Sequence, residues 1–241
     1  MLNLIVQDTF QTMFENALAL DGCTNYFEVP DNDLLDYEEA ISLECWIRPN
    51  CSESNKVIFS KQWCQGQYGY YLSVNEGKLL WSYTTSGSCS STNSFQSINE
   101  EILPNEFTHV AVVHSKTEIK LFVNGIEVPA EQTGGNFGRI HNSSEPFRIG
   151  VYKGLSGNKG NHFSGLIDEV RVWDIALNET LIQQRKDIPL SGLETGLRLY
   201  LDMEQEGAGS SLVLQNQSTH VHLFDASPYG FTTHTLSLIH I

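Results

Sequence analysis

Three groups of residues in this chain of 241 have types and spacing that could do chemistry. The first is Asp168-Glu169, an acidic pair inside the apolar run from Phe163 to Trp173. Successive side chains of a strand point to opposite faces, so these two carboxylates serve one site only if a bulge intervenes. The second is Asp202-Met-Glu-Gln-Glu206, whose acidic side chains recur at every other residue. That spacing would put an acid and a nucleophile for glycoside cleavage on one face. Leu199, Leu201 and Met203 form the inward set of this strand, however, leaving Tyr200, Asp202 and Glu204 toward solvent before the run dissolves into Gly207-Ala-Gly-Ser210. The third group is aromatic: Trp63, Tyr68, Tyr70, Tyr71, Trp81 and Tyr83 crowd one hairpin, beside Gln65, Gln67, Asn75 and Asn93. Sugars lay their C–H faces on aromatic rings while amides fix the hydroxyls. Tyr70 with Leu72 and Val74, and Trp81 with Leu79 and Tyr83, read as alternating core residues. Trp63, Gln65, Tyr68 and Tyr71 are therefore the predicted ligand-binding set. The histidines at 109, 114, 141, 162, 220 and 222 show no nucleophile pattern, and no Gly-x-Ser-x-Gly, phosphate loop or dinucleotide fingerprint occurs. No catalytic residue is predicted.

The elements that must position these residues read as strands. Ser42 to Arg48 alternates, with Leu43, Cys45 and Ile47 on one side and Glu44, Trp46 and Arg48 on the other. Gly69 to Val74 turns through Asn75-Glu-Gly77 into Lys78 to Tyr83, a hairpin. His109 to His114 and Lys120 to Val123 form a second, and Asn124-Gly125 turns tightly into Ile126-Glu-Val128. Residues 178–185, opened by Asn178, are the best helix. Short strands separated by turns predict an all-β fold of two antiparallel sheets, with about 12 to 15 strands and one short helix near the end.

Composition narrows the partners. A formal charge of −15 disfavours nucleic acid and anionic membranes, which need basic patches. Excess carboxylate suits divalent cations and neutral ligands such as sugars, or simply solubility. No stretch approaches the roughly 18 apolar residues of a membrane helix, so no membrane insertion is predicted. The cysteine count of five is odd. Cys64 and Cys89 lie at the far ends of two adjacent strand runs, which a hairpin brings together, so a Cys64–Cys89 disulfide is predicted. Cys45 sits in a buried alternation; Cys23 and Cys51 are in loops and their pairing stays open. Without a CxxC or Cys/His cluster, structural zinc is not expected. Met1-Leu-Asn-Leu-Ile-Val lacks the basic region and cleavage site of a signal peptide. Leu236-Ser-Leu-Ile-His-Ile241 matches a translation of CTG-TCT-CTT-ATA-CAC-ATC, the mosaic end of a transposon-type sequencing adapter, and is expected to be a non-native tail.

Six ordered blocks carry a family resemblance. They are Ala17-Leu-Ala-Leu-Asp-Gly22 with Tyr26-Phe-Glu-Val-Pro30, Ile41-Ser-Leu-Glu-Cys-Trp-Ile-Arg-Pro49 and Phe107-Thr-His-Val-Ala-Val-Val113. The others are Ile119-Lys-Leu-Phe-Val-Asn-Gly125, Phe147-Arg-Ile-Gly150 and Gly165-Leu-Ile-Asp-Glu-Val-Arg-Val-Trp173. The chain resembles the laminin-G-like (pentraxin-like) jelly-roll domains of the concanavalin A-like lectin/glucanase superfamily. The resemblance implies a jelly-roll domain over residues 17–189, with a lead-in over 1–16 and added strands or the start of a following module over 190–235. It also implies a structural calcium held by Asp21, Asn25 and Asp168 with the carbonyl of Gly22. Many relatives carry a second acidic residue near position 25, where this chain has an amide. The alternative is that Asp21 caps a turn and Asp168 pairs with Arg171 or Arg148. Trp46 and Trp173 match aromatic positions of the family and read as structural. The function expected from all of this is secreted, non-catalytic recognition or adhesion, extracellular or at the cell surface, through glycan or extracellular protein. A structural spacer and a glycan-cleaving enzyme are the alternatives.

Overall fold

The computed structural model describes residues 16–36, 39–52, 54–134, 138–204, 213–219, 225–230 and 238–240. Its strands begin with β1 (Asn16–Asp21), β2 (Tyr26–Val29), β3 (Ala40–Pro49), β4 (Lys56–Trp63), β5 (Gln67–Asn75) and β6 (Lys78–Gly87). Next come β7 (Thr92–Ser97), β8 (Thr108–Ser115), β9 (Ile119–Val123), β10 (Ile126–Val128), β11 (Ala130–Gly134) and β12 (Phe147–Ile149). The last are β13 (Tyr152–Lys153), β14 (Lys159–Gly160), β15 (Ser164–Trp173), β16 (Leu197–Leu201), β17 (Ser227–Tyr229) and β18 (Leu238–His240), with helix α1 (Glu179–Arg185) between β15 and β16.

One sheet runs β10-β9-β8-β3-β15-β1-β18, with β16 also on β15; the other runs β11-β7-β6-β5-β4-β12-β2-β17, joined by β13 and β14. Every named strand pair is antiparallel except β13 with β4, which touch at Lys153 and Trp63. The strand count exceeds the expected one because two- and three-residue strands such as β13, β14 and β17 carry no periodicity to read. Residues 236, 237 and 241 of the expected non-native tail lie outside the described residues, while the backbone of 238–240 pairs with β1.

The alternation in the sequence sets the core. Leu43, Cys45 and Ile47 from one sheet meet Leu72, Val74, Trp81 and Tyr83 from the other, and all are buried in one cluster. The β5–β6 turn places Glu76 and Gly77 at φ 54° and 79°, and the β9–β10 turn places Asn124 and Gly125 at 52° and 79°. Two successive left-handed residues match the twist of a two-residue hairpin, which is why glycine closes each. Asn178 caps α1, its Oδ1 accepting from the Leu181 N–H at 2.9 Å. Through Leu177 and Ile182 the helix region covers the outer face of the β3 sheet, over Ala111, Phe122, Trp173 and Tyr200. That cover changes one expectation: the outward residues Glu44, Trp46 and Tyr200 are buried, not solvated.

Candidate functional site

β4 ends at Trp63 and β5 begins at Gln67, so residues 64–66 form a short rim turn. The Cys64–Cys89 disulfide ties this turn to the connection after β6, the pairing read from the hairpin. Cys23, Cys45 and Cys51 remain thiols. Trp63 is half-buried, with Lys153 Nζ 3.8 Å from its ring centroid. Lys153 is held there by Glu145, whose two carboxylate oxygens accept from Nζ at 3.0 and 3.3 Å. Glu145 also pairs with Arg148, and Arg148 Nε donates to Glu28 at 2.8 Å. A relay of ion pairs thus fixes a cation on the indole. Gln65 is exposed and donates to the Leu155 carbonyl at 3.3 Å. Tyr71 is half-buried, with Tyr68 6.3 Å and Tyr152 6.4 Å away between ring centroids.

Tyr68 corrects the predicted set. It is 5% exposed, its hydroxyl lies 3.2 Å from Ser82 Oγ, and burial pushes its phenol up. The register break between Tyr68 and Tyr70 turns it onto the face of Tyr71, which with Ser82 encloses it. Trp63, Gln65 and Tyr71 therefore form the accessible part of the rim, beside the exposed hydroxyls of Ser86, Ser90 and Ser91. Lys153 and its ion-pair relay were invisible in the sequence, since each link joins residues on different strands or loops. Tyr70, Trp81 and Tyr83 are core, as their alternation predicted. The Trp81 indole donates to His114 Nδ1 at 3.2 Å, and burial lowers that imidazole to about 4, keeping it neutral near pH 7.

The carboxylates are placed for structure. Asp21 Oδ1 accepts from the N–H groups of Cys23, Thr24 and Asn25 at 2.8, 3.0 and 3.2 Å, and Oδ2 accepts from the Thr24 hydroxyl at 2.9 Å. Asn25 Oδ1 accepts from the Asp21 N–H at 2.8 Å. Asp21 lies opposite Ser164, four residues from Asp168 along β15, about 13 Å at strand rise. Asp21, Gly22 and Asn25 are thus together, but Asp168 is not with them. The expected calcium set does not fit: Asp21 is spent on its own turn and Asp168 is buried elsewhere. Among the described residues no three His, Cys, Asp or Glu side chains are grouped as a metal site.

A bulge does interrupt β15, with Glu169 at φ 53° and a register shift between Asp168 and Arg171. Glu169, not Asp168, pairs with Arg171, and it also accepts from the Tyr200 hydroxyl at 2.9 Å. Arg148 is engaged by Glu28 and Glu145 instead. Burial is the largest influence on Glu169 and lifts its carboxyl to about 7. Asp168 accepts from the Glu169 N–H at 2.7 Å through Oδ1, while its buried Oδ2 has no hydrogen-bond partner. Burial, then the neighbouring Glu169, raises Asp168 well above its ordinary value of 3.8. A group raised in the folded state binds its proton more tightly there than when unfolded. Its contribution is complete below the unfolded value and is lost as pH rises toward the folded one. Asp168→Asn, which supplies the neutral form permanently, is expected to raise the melting temperature at pH 8 and not at pH 4. Thermal melts at both pH values check this, and an equal or lower value at pH 8 would contradict it.

The acidic run after β16 makes no catalytic pair among the described residues. Glu204 is exposed and accepts from the Asn16 N–H at 3.1 Å and from its side-chain amide at 2.8 Å. Asp202 Oδ1 accepts from the Glu204 N–H at 3.2 Å, and Glu206 lies outside the described residues. Leu199, Leu201 and Met203 are core, as expected, whereas Tyr200 is buried under the helix-bearing segment.

A family model for the concanavalin A-like lectin/glucanases superfamily matches residues 21–183. The adhesion G-protein coupled receptor V1 of Danio rerio is 25% identical over 178 residues, covering 72% of this chain and 3% of the receptor. Among solved structures, a putative carbohydrate binding protein from Bacteroides ovatus superposes with a TM-score of 0.68 at 18% identity, covering 94% of this chain and 62% of that one. The IT-sialidase CBM40 of Ruminococcus gnavus, bound to α2,3-sialyllactose, gives a TM-score of 0.55 at 12% identity, covering 71% of this chain and 97% of the module. The chain therefore spans a small part of the receptor and under two thirds of the Bacteroides protein.

Proposed function

Given that the chain belongs to the concanavalin A-like lectin/glucanases superfamily through residues 21–183, we propose that it is a non-catalytic recognition and adhesion module, displayed outside the cell within a larger protein, that binds a glycan or an extracellular protein. The rim at Trp63 carries this reading. A partly exposed indole, a cation fixed on it, the amide of Gln65 and a row of serine hydroxyls lie beside one disulfide. Aromatic stacking and amide hydrogen bonds are the two contacts by which proteins hold sugars. The disulfide and the Lys153–Glu145 pair hold the rim in place before a ligand arrives, which reduces the ordering cost of binding. The fold likeness to a carbohydrate binding protein and the match to an adhesion receptor support the same reading. The charge of −15 favours neutral sugars over anionic ones.

An array of neutral and sialylated oligosaccharides, probed with and without calcium and run beside a hydrolysis assay on the same sugars, tests the proposal. Retention of neutral glycans with no release of reducing sugar is expected, equal in calcium and in chelator. Hydrolysis of any probe would overturn the non-catalytic reading.

A further inference from the structure

Although the expected calcium ligands do not assemble, the protein holds a buried cation of its own. Lys61 lies on β4 opposite the core residue Tyr70 and is 1% exposed. A strand position of that kind ordinarily takes an apolar side chain, because an isolated ammonium is costly to bury. Here Nζ is surrounded by oxygens from two loops. Asp31 Oδ1 and the Ser143 carbonyl are in short contact, the Glu145 carbonyl accepts at 3.0 Å, and Asp36 Oδ1 lies at 3.4 Å. Asp36 is steadied by Asn142, whose amide donates to its other oxygen at 2.9 Å.

Two features mark this cluster as a cation cage and not only an ion pair. Its donors are two carboxylates and two peptide carbonyls, the hard-oxygen mixture that calcium takes. Beside it, the buried hydroxyl of Tyr70 has no hydrogen-bond partner, and burial followed by the charges of Asp36 and Asp31 pushes that phenol up. An ammonium offers three donors, which match the three closest oxygens; the fourth is satisfied by charge alone. We propose that the Lys61 ammonium is the resident cation of an oxygen cage that joins the 30–36 and 141–146 segments to β4 without a metal ion, and that removing it creates a calcium site. The cage also supports the rim: the carbonyl of Glu145 binds Lys61 while its carboxylate holds Lys153 over Trp63.

The test compares wild type, Lys61→Ala, Lys61→Met and the double variant Lys61→Ala/Asp36→Asn by thermal melting in millimolar calcium or chelator. Terbium luminescence excited through the adjacent Tyr70 is read in parallel. Wild type is expected to melt at the same temperature in calcium and chelator. Lys61→Ala is expected to melt lower in chelator, recover about 5 °C or more in calcium by mass action, and show terbium emission above wild type. Adding Asp36→Asn should remove both responses. Lys61→Met, which fills the space with a thioether that calcium does not favour, should gain neither. Calcium stabilisation of wild type that Asp36→Asn abolishes would overturn the proposal. Equal melting of Lys61→Ala in calcium and chelator, or failure to fold in both, would overturn it as well.

Discussion

Arg171→Ala is expected to lower stability by about 3–5 kcal/mol, the cost of breaking a buried ion pair from one side, or a fall in melting temperature of about 10 °C for a chain this size. The guanidinium is 1% exposed and has four separate partners. It pairs with Glu169, lies 3.7 Å from Glu44, and donates to the carbonyls of Arg185 at 2.8 Å and Ile188 at 2.7 Å. The last two join the segment after α1 to the sheet, beside the bond from the Trp46 indole to the Lys186 carbonyl at 2.7 Å. Alanine leaves Glu44 and Glu169 buried without their cation and removes two carbonyl contacts together. Urea denaturation read by tryptophan fluorescence checks this. Arg171→Lys should recover only part of the loss, because an ammonium lacks the planar fork that reaches both carbonyls and Glu169. A cost below about 1 kcal/mol, the range of a surface pair, would show that this network does not hold the segment in place.

Replacing Cys64 and Cys89 together by serine is the other large effect. The disulfide closes a loop over a sequence separation of 25 residues, and restriction of the unfolded chain by such a closure amounts to about 3.5 kcal/mol. Denaturation of the oxidised wild type against the double serine variant reads this difference directly. A further consequence follows from location. The bridge joins the turn carrying Gln65 to the connection carrying Ser90 and Ser91, so its loss should weaken glycan retention by more than the change in folded fraction explains. Equal stability with and without the bridge would place the rigidity of the rim elsewhere.

What could be read from the sequence is what depends on near neighbours along the chain. The alternation of Leu43, Cys45 and Ile47, the Asn124-Gly125 turn, the Asn178 cap and the Cys64–Cys89 pairing all follow from local periodicity, turn chemistry or a single hairpin. The errors arise where distant segments meet or where a bulge changes the count. Tyr68 was expected at the surface because its parity ignored the register break at Gly69. Glu44 and Tyr200 were expected to face water because nothing in their own strands shows that α1 and the 186–190 segment cover that face. Asp168 was expected to meet Asp21, but strand register separates them by four residues. Lys61 and Lys153 carried no signal at all. Their partners lie 30 and 84 residues away for Lys61, and the cation on Trp63 comes from a two-residue strand paired to β4.

The central claim is that the Trp63 rim is a binding surface and not merely a packed edge. It is tested most directly by the glycan array run with wild type and Trp63→Ala side by side, with thermal melts of both. Loss of one stacking aromatic is worth about 1–2 kcal/mol, so retention of the glycans held by wild type should fall about tenfold or more. The melting temperature should change little, since the indole is half-buried and its principal fixed contact is the exposed-side cation of Lys153. Unchanged glycan retention by a folded Trp63→Ala protein, or unfolding of the variant, would contradict the assignment.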